Sequence, residues 1–305
     1  MASSGVRRIL ITGATGKQGG AVLRALLSHP DPTLPLEFYA LTRKATSPSA
    51  QRLAQDPRVS IIEGDLKDCE SIFHNLPHPV WGVFGVTLPL PNDKVEEARG
   101  KALADTAAKN GVQHFVFTSV ERGANGNTDP TVVPHFRSKF EIEQHIKKVA
   151  KESKQGMKWT FLQPVAFMDN LTPDFFGKVF VTLWRKNGWE SKLQLISSRD
   201  VGIVGADAFL KPEEYEGKAL SLATDEISLR EANEIFKEQE GRDLPGTYEF
   251  VGSTIKWLLK EQLGKMFDWF VSDGFAADAK AIREKYPGTQ DFRTWLKETS
   301  KFAQV

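Results

Sequence analysis

Apolar residues fall in blocks along the first half of the chain: RRILIT (7–12), LEFYALT (36–42), RVSIIEG (58–64), VWGVFGVT (80–87), HFVFTSV (114–120) and KWTFLQPV (158–165). Most are too short for helices and too continuously apolar for a sheet with one wet face, which predicts strands buried on both sides. Between them lie stretches with helical spacing, such as KQGGAVLRALLSH and VEEARGKALADTAAKNG, the second stopped by Asn110-Gly111. Strand and helix alternating in this way predict an α/β fold with a doubly wound parallel sheet.

After about residue 165 the pattern changes. Longer helical stretches alternate with short strand-like pieces such as GKALSLAT, and five of the seven tryptophans (Trp184, Trp189, Trp257, Trp269, Trp295) lie there. The expected organisation is a larger α/β domain over 1–165 and a smaller, mostly helical lobe over 166–305, laid on the carboxyl edge of the sheet. The boundary is soft, since no linker marks it and the chain can cross between the lobes. Trp257 and Trp269 read as core at helical spacing, and the tryptophans as a group are candidates for lining an apolar substrate pocket.

Composition narrows the classes. With 305 residues, 40% hydrophobic and 26% charged, the chain has the make-up of an ordinary globular protein with a real core. Forty basic against thirty-nine acidic residues leave no basic excess for a nucleic-acid footprint. No apolar run approaches the roughly 18 residues of a membrane span. The start MASSGVRRILITG lacks a signal-peptide core, and no lipidation motif is present. The expectation is a cytoplasmic protein, with nuclear access left open and no direct nucleic-acid or membrane partner. The single Cys69 forbids an intramolecular disulfide and reads as a small side chain at a helix start. His74 and His78 are four apart, but FHNLPHPV has two prolines and no acid or cysteine at ligand spacing, so no metal site is expected.

The sharpest signal is ILITGATGKQGGAVLRALL, which sets Gly13, Gly16 and Gly19 between the first strand and the first helix. Such a turn brings backbone N–H groups and a helix N-terminus against a diphosphate, where glycine alone permits close approach. Thr15, Lys17 and Gln18 fill the turn. A P-loop is excluded because Gly16-Lys17 is followed by Gln18, and the earlier glycine is missing. The second strand ends in TRKAT, with Arg43 and Lys44 where an NAD-binding chain carries an acid for the ribose hydroxyls. Two cations suit a 2′-phosphate, so NADP(H) is the expected cofactor. Asp65, in EGDL, is placed for the adenine edge or as an N-cap of the next helix. Leu66 and Thr87, at the ends of the third and fourth strands, complete this side of the expected site.

The motifs GATGKQGG, TRK, EGDL, VFTSV, the lysine of HFRSKFEIE, and QPVAFMDN follow one another in an order that resembles the NmrA-like family of atypical short-chain dehydrogenase/reductases, related to the isoflavone-reductase group. The resemblance spans nearly the whole chain. It implies a Rossmann fold with a small C-terminal lobe, and cofactor contacts at Thr15, Gly16, Gln18, Arg43, Asp65 and Lys139. It also implies that Pro164, Val165, Phe167 and Asn170, in the QPVAFMDN loop, lie beside the nicotinamide. Members of this family divide between reductases of small molecules and regulators that respond to NADP(H) by binding a protein partner.

Catalysis turns on VVPHFRSKFEIEQHI. A short-chain reductase carries tyrosine four residues before its lysine, whereas here His135 precedes Lys139. On a helix the two share a face, and histidine titrates near neutrality, so His135 is a candidate acid. Pro134 favours a helix start, which points to His135 packing or capping the first turn instead. Lys139 is the expected cofactor ligand and electrophile, with Ser119, in VFTSV, as either the reductase serine or a strand-terminating hydroxyl. The sequence therefore anticipates an NADPH-dependent oxidoreductase acting on a small apolar carbonyl or enone. A non-catalytic NADP(H) sensor that binds a regulatory protein is the alternative.

Overall fold

A computed structural model describes residues 5–29, 35–88, 93–258 and 260–302. The side chains of residues 251, 253, 255, 257 and 260 lie outside that description, and with them Trp257. In chain order the elements begin β1 (Arg7–Ile11), α1 (Lys17–Leu27), β2 (Leu36–Thr42), α2 (Pro48–Leu53), β3 (Val59–Glu63), α3 (Cys69–His74), β4 (Gly82–Gly85), α4 (Asp93–Lys109), β5 (His114–Thr118), α5 (Pro134–Glu152) and β6 (Lys158–Pro164). They continue through β7 (Ala166–Phe167), α6 (Phe175–Lys186), β8 (Lys192–Ile196), α7 (Ser198–Leu210), α8 (Pro212–Tyr215), β9 (Lys218–Leu222), β10 (Asp225–Ser228) and α9 (Leu229–Glu240). The C-terminal helices are α10 (Glu249–Leu258), α11 (Lys265–Ser272), α12 (Ala279–Lys285) and α13 (Phe292–Glu298).

The chain separates into two compact units that interleave in sequence. The first comprises Met1–Ser119, Ser138–Leu162 and Val201–Leu220; the second comprises Val120–Arg137, Gln163–Asp200 and Ser221–Val305. A seven-stranded sheet runs in the order β3-β2-β1-β4-β5-β6-β9. The pairs from β3 through β6 are all parallel. The order reverses between β1 and β4, the switch point at which open α/β sheets bind their ligands. β5 is buried throughout, as its unbroken apolar run requires. Leu10, Val83, Phe115, Phe117 and Phe161 from the sheet pack with Leu103, Ala104, Ile142 and Ile146 from α4 and α5. α4 stops where the sequence expects, with Gly111 at φ 75°.

The second unit carries a small sheet, β10-β8-β7, with β10 antiparallel and β7 parallel to β8. Its core is aromatic: Trp184, Phe236, Phe267, Phe292 and Trp295 are buried together. Trp269 packs with Val133 and Phe136, whereas Trp189 is partly exposed. Among the described residues no helix is long and apolar enough to cross a membrane.

One buried group gives the first unit a pH dependence. His114 is 1% exposed, and its Nε2 lies 2.9 Å from Thr160 Oγ1, whose own proton goes to the Tyr215 carbonyl. Nε2 therefore carries the hydrogen, and the buried Nδ1 has no partner among the described residues. Burial, reinforced by the charge of Arg7, pushes the imidazole down to about 4. An unfolded histidine takes its proton near 6.5, so the unfolded chain binds more protons below that value and stability falls with pH from about 6.5 toward 4. This group should cost about 2 kcal/mol near pH 5 relative to neutrality. Denaturant unfolding of wild type and His114→Gln at both values checks it: the variant should lose that share of the acid sensitivity, and parallel losses in the two proteins would assign it elsewhere.

Candidate functional site

A groove of about 370 Å³ opens at the carboxyl ends of the strands of the first unit. Its lining begins with the glycine turn. Gly13 has φ 59°, a left-handed conformation, and a Cβ there would also meet Val86 Cγ1 at 2.8 Å. At Gly19 a Cβ would stand 2.4 Å from the Thr12 carbonyl oxygen and 2.5 Å from that of Gly13. The helix can start against the strand only because both side chains are absent. The Gly16 N–H closes the turn on the Gly13 carbonyl at 2.8 Å, and no side chain caps α1. An uncapped helix N-terminus beside a glycine turn is an anion site in physical terms.

Side chains from neighbouring strand ends hold this turn. The Val86 N–H donates to Thr12 Oγ1 at 2.8 Å, tying the end of β1 to the end of β4 across the switch point. Thr118 Oγ1, at the end of β5, donates to Gln18 Oε1. At the end of β2 the Lys44 N–H donates to Thr42 Oγ1 at 3.3 Å, shaping the bend that carries Arg43 into the groove lining. Arg43 and Arg99 both line the groove, and neither makes an ion pair or side-chain hydrogen bond among the described residues. Asp65 also lines it, and its Oδ1 accepts the Lys67 N–H at 3.0 Å. The cap of α3 is not Asp65, as one sequence expectation had it, but Asp68, which accepts from the Ser71 N–H.

Of the expected cofactor residues, Gly13, Thr15, Gly16, Lys17, Gln18, Gly19, Arg43, Asp65, Leu66 and Thr87 come together here. Lys44 is exposed at the same strand end. Pro164, Val165, Phe167 and Asn170 belong to the second unit. Their loop is fixed there, where the Val165 N–H donates to the Leu222 carbonyl at 3.1 Å and Asp169 accepts the Ser198 N–H at 2.8 Å.

Glu96 and Arg99, both on α4, complete the lining, and neither is signalled by a motif. Glu96 falls on the helix's buried stripe with Gly100, Leu103, Ala104 and Ala107, and it is 0% exposed. A glutamate in line with that stripe is the one sequence clue to it. Its partner is Lys139, 8% exposed on α5, whose Nζ stands 3.2 Å from Glu96 Oε1. Ser138 Oγ donates to Glu96 Oε2 at 2.6 Å and Thr87 Oγ1 donates to Oε1 at 2.8 Å. Burial raises a carboxyl's pKa, but here the Lys139 charge and these hydrogen bonds outweigh it and hold Glu96 below its ordinary value. The Lys139 ammonium also donates to Thr87 Oγ1 at 2.7 Å, to the Thr87 carbonyl at 3.2 Å and to the Thr118 carbonyl at 3.4 Å.

The remaining candidates are spread over both units. Ser119 is buried just past β5, its N–H donating to the Leu162 carbonyl at 2.7 Å. His135 sits in the first turn of α5, in the stretch assigned to the second unit, with its ring edge-on to Phe136 at 4.8 Å. Cys69 is buried at the start of α3, and burial pushes its thiol up to about 11, which suits packing rather than nucleophilic chemistry.

Comparison with known proteins follows the same lines. A family model described as NmrA-like matches residues 6–296. An NmrA-like family domain-containing oxidoreductase of Aspergillus hancockii, hkm9, is 30% identical over 256 residues, covering 77% of this chain and 73% of that protein. The Citrobacter sp. triphenylmethane reductase, solved with NADP(H), superposes with a TM-score of 0.71 at 16% identity, covering 96% of this chain and 99% of the other. NmrA, a negative transcriptional regulator solved with NADP, gives a TM-score of 0.68 at 19% identity, covering 97% of this chain and 96% of the other. At such identities the two solved structures speak for the fold, while the family match extends from the first strand into the last helix. The chain belongs to the NmrA-like family.

Proposed function

We propose that the protein binds NADP(H) in the groove of its first unit and is an oxidoreductase that reduces a small, fairly apolar carbonyl or enone. The observation that carries the proposal is the glycine turn at the switch point with two unengaged arginines in the same groove. The cofactor fits this chain's residues: Gly13 and Gly19, where a Cβ would clash with Val86 and with the Thr12 and Gly13 backbone, let α1 start against β1, and no side chain caps its N-terminus. Arg43 and Lys44 would take the 2′-phosphate, the start of α1 with Lys17 and Arg99 the diphosphate, and Asp65 with Leu66 the adenosine end. Bound there, the dihydronicotinamide would supply a hydride. The chain's part would be to orient the cofactor and to stabilise the charge left on the acceptor oxygen, for which Lys139 and Ser119 are the candidates and His135 is secondary. Pro164, Val165, Phe167 and Asn170 are proposed as the nicotinamide-side contacts. Support for an oxidoreductase comes from the fungal relative, which bears that description.

A second reading, an NADP(H)-responsive regulator that binds a protein, draws on a specific observation. The Lys139 ammonium, the expected electrophile, is already engaged by Glu96, Thr87 and Thr118. Calorimetry with NADPH and NADH, followed by a panel of aromatic ketones and enones monitored by loss of dihydronicotinamide absorbance, separates the possibilities. NADPH should bind more tightly than NADH. Arg43→Ala should weaken NADPH about tenfold or more by removing one charge-assisted contact while leaving NADH nearly unchanged. Equal losses for both cofactors would mean that Arg43 does not read the 2′-phosphate. Binding without turnover of any acceptor would favour the regulator.

A further inference from the structure

Three groups behind the groove fix one another's hydrogens. The Glu96 carboxylate can only accept, the Lys139 ammonium can only donate, and the Thr87 hydroxyl stands between them. Thr87 Oγ1 gives its single proton to Glu96 Oε1 at 2.8 Å and receives one from Lys139 Nζ at 2.7 Å. One lone pair remains on that oxygen, on a residue that lines the groove. The ammonium has three protons and four oxygens around it, at 2.7 to 3.4 Å, so the protein itself uses all of them. Ser138 Oγ holds the other carboxylate oxygen at 2.6 Å, which prevents Glu96 from turning away.

We infer that Glu96 is a positioning residue that sets the polarity of the groove: by taking the only Thr87 hydroxyl proton it locks Thr87 Oγ1 as an acceptor-only position, matched to a donating hydroxyl of a bound ligand. The ligand chemistry this selects is a polyol O–H, such as a ribose hydroxyl; a phosphate or carboxylate oxygen set there would face a lone pair and be repelled. Nothing in the motif pattern distinguishes this from a threonine free to rotate, because the polarity arises from charges buried on two different helices. The inference rests on the dinucleotide reading above and names which of the cofactor's group types meets this wall.

The test is NADPH titration, by calorimetry or quenching of intrinsic fluorescence, of wild type, Thr87→Ser, Thr87→Val and Glu96→Gln, with circular dichroism and melting to confirm folding. Serine keeps the hydroxyl and both partners, so its Kd should stay within about threefold of wild type. Valine keeps the shape but offers no acceptor, and its Kd should rise about tenfold or more. Glutamine at 96 can donate as well as accept, so Thr87 is no longer locked, and a similar rise is expected. If Glu96→Gln does not fold, the serine–valine pair decides alone. A valine variant that binds as tightly as serine overturns this inference and leaves the cofactor reading intact. Wild type that binds no NADPH overturns both.

Discussion

Replacing Lys139 by methionine is expected to destabilise the protein by about 3–5 kcal/mol near neutral pH, the usual consequence of stranding a buried charge. Glu96 is 0% exposed and would keep Ser138 and Thr87 as donors but lose its counter-charge. Methionine retains much of the lysine stem's volume, so the loss reports charge more than packing. The sign with pH follows. Without Lys139, burial would raise the Glu96 pKa in the folded state above its unfolded value near 4.3, so the folded chain binds the extra proton and the deficit grows as pH rises above about that value. Denaturant unfolding at neutral and mildly acidic pH should show Lys139→Met closer to wild type in acid, after the His114 contribution common to both proteins is subtracted. The double variant Lys139→Met with Glu96→Gln should recover a large part of the loss, because a neutral pair no longer needs the ammonium. A Lys139→Met protein as stable as wild type, or a double variant worse than the single one, would show that the pair is not coupled as its geometry requires. An activity assay of Lys139→Met alone would therefore confound chemistry with folding, and comparing the double variant with Glu96→Gln alone isolates what the ammonium does.

Gly16→Val should weaken NADPH binding at least about 100-fold, near 2.7 kcal/mol, while leaving the fold in place. Gly16 caps α1 at φ −95°, ψ −175°, an extended conformation open to any residue. A Cβ there would meet only the Gly13 carbonyl oxygen, at 3.2 Å, so a shift of a few tenths of an ångström accommodates it. The two γ-methyls would instead occupy the mouth of the turn, where a diphosphate must approach the helix N-terminus. Gly19→Ala is the contrasting change. Its Cβ would strike two backbone carbonyls at 2.4 and 2.5 Å, so the turn itself must open, and lost binding would come with lost stability. Calorimetry and melting on both variants check the pair. A folded Gly16→Val protein with wild-type NADPH affinity would mean that the glycine turn is not the diphosphate site.

Much of this architecture was legible along the chain. The apolar blocks at 36–42 and 114–120 predicted β2 and β5 closely, since strands buried on both faces leave no polar alternation to blur them. Asn110-Gly111 marked the end of α4 because a left-handed residue is needed there. The glycine turn, Arg43 and Asp65 were visible because each site depends on residues a few positions apart at the end of one strand, and local spacing encodes local geometry.

The rest depended on contacts that spacing does not carry. VEEARGK looks like a solvated helical face, yet Glu96 is buried and Arg99 reaches the groove, because the packing of α4 decides which side meets water. Lys139 was named from its motif as a cofactor ligand, but the motif does not carry the partners of its charge, a glutamate 43 positions earlier (139 minus 96) and threonines at the ends of two strands. The chain's return to the first unit over Val201–Leu220, after a long excursion, is likewise set by the pairing of distant elements. The sequence by itself determined the fold class, the turn and the sign of charge at the end of β2, because backbone geometry and side-chain type suffice for these. Tertiary structure alone decided which charges are buried against each other, and with them the hydrogen-bonding polarity of the groove, because the cost of burying an ion is settled only by the partner that packing brings to it.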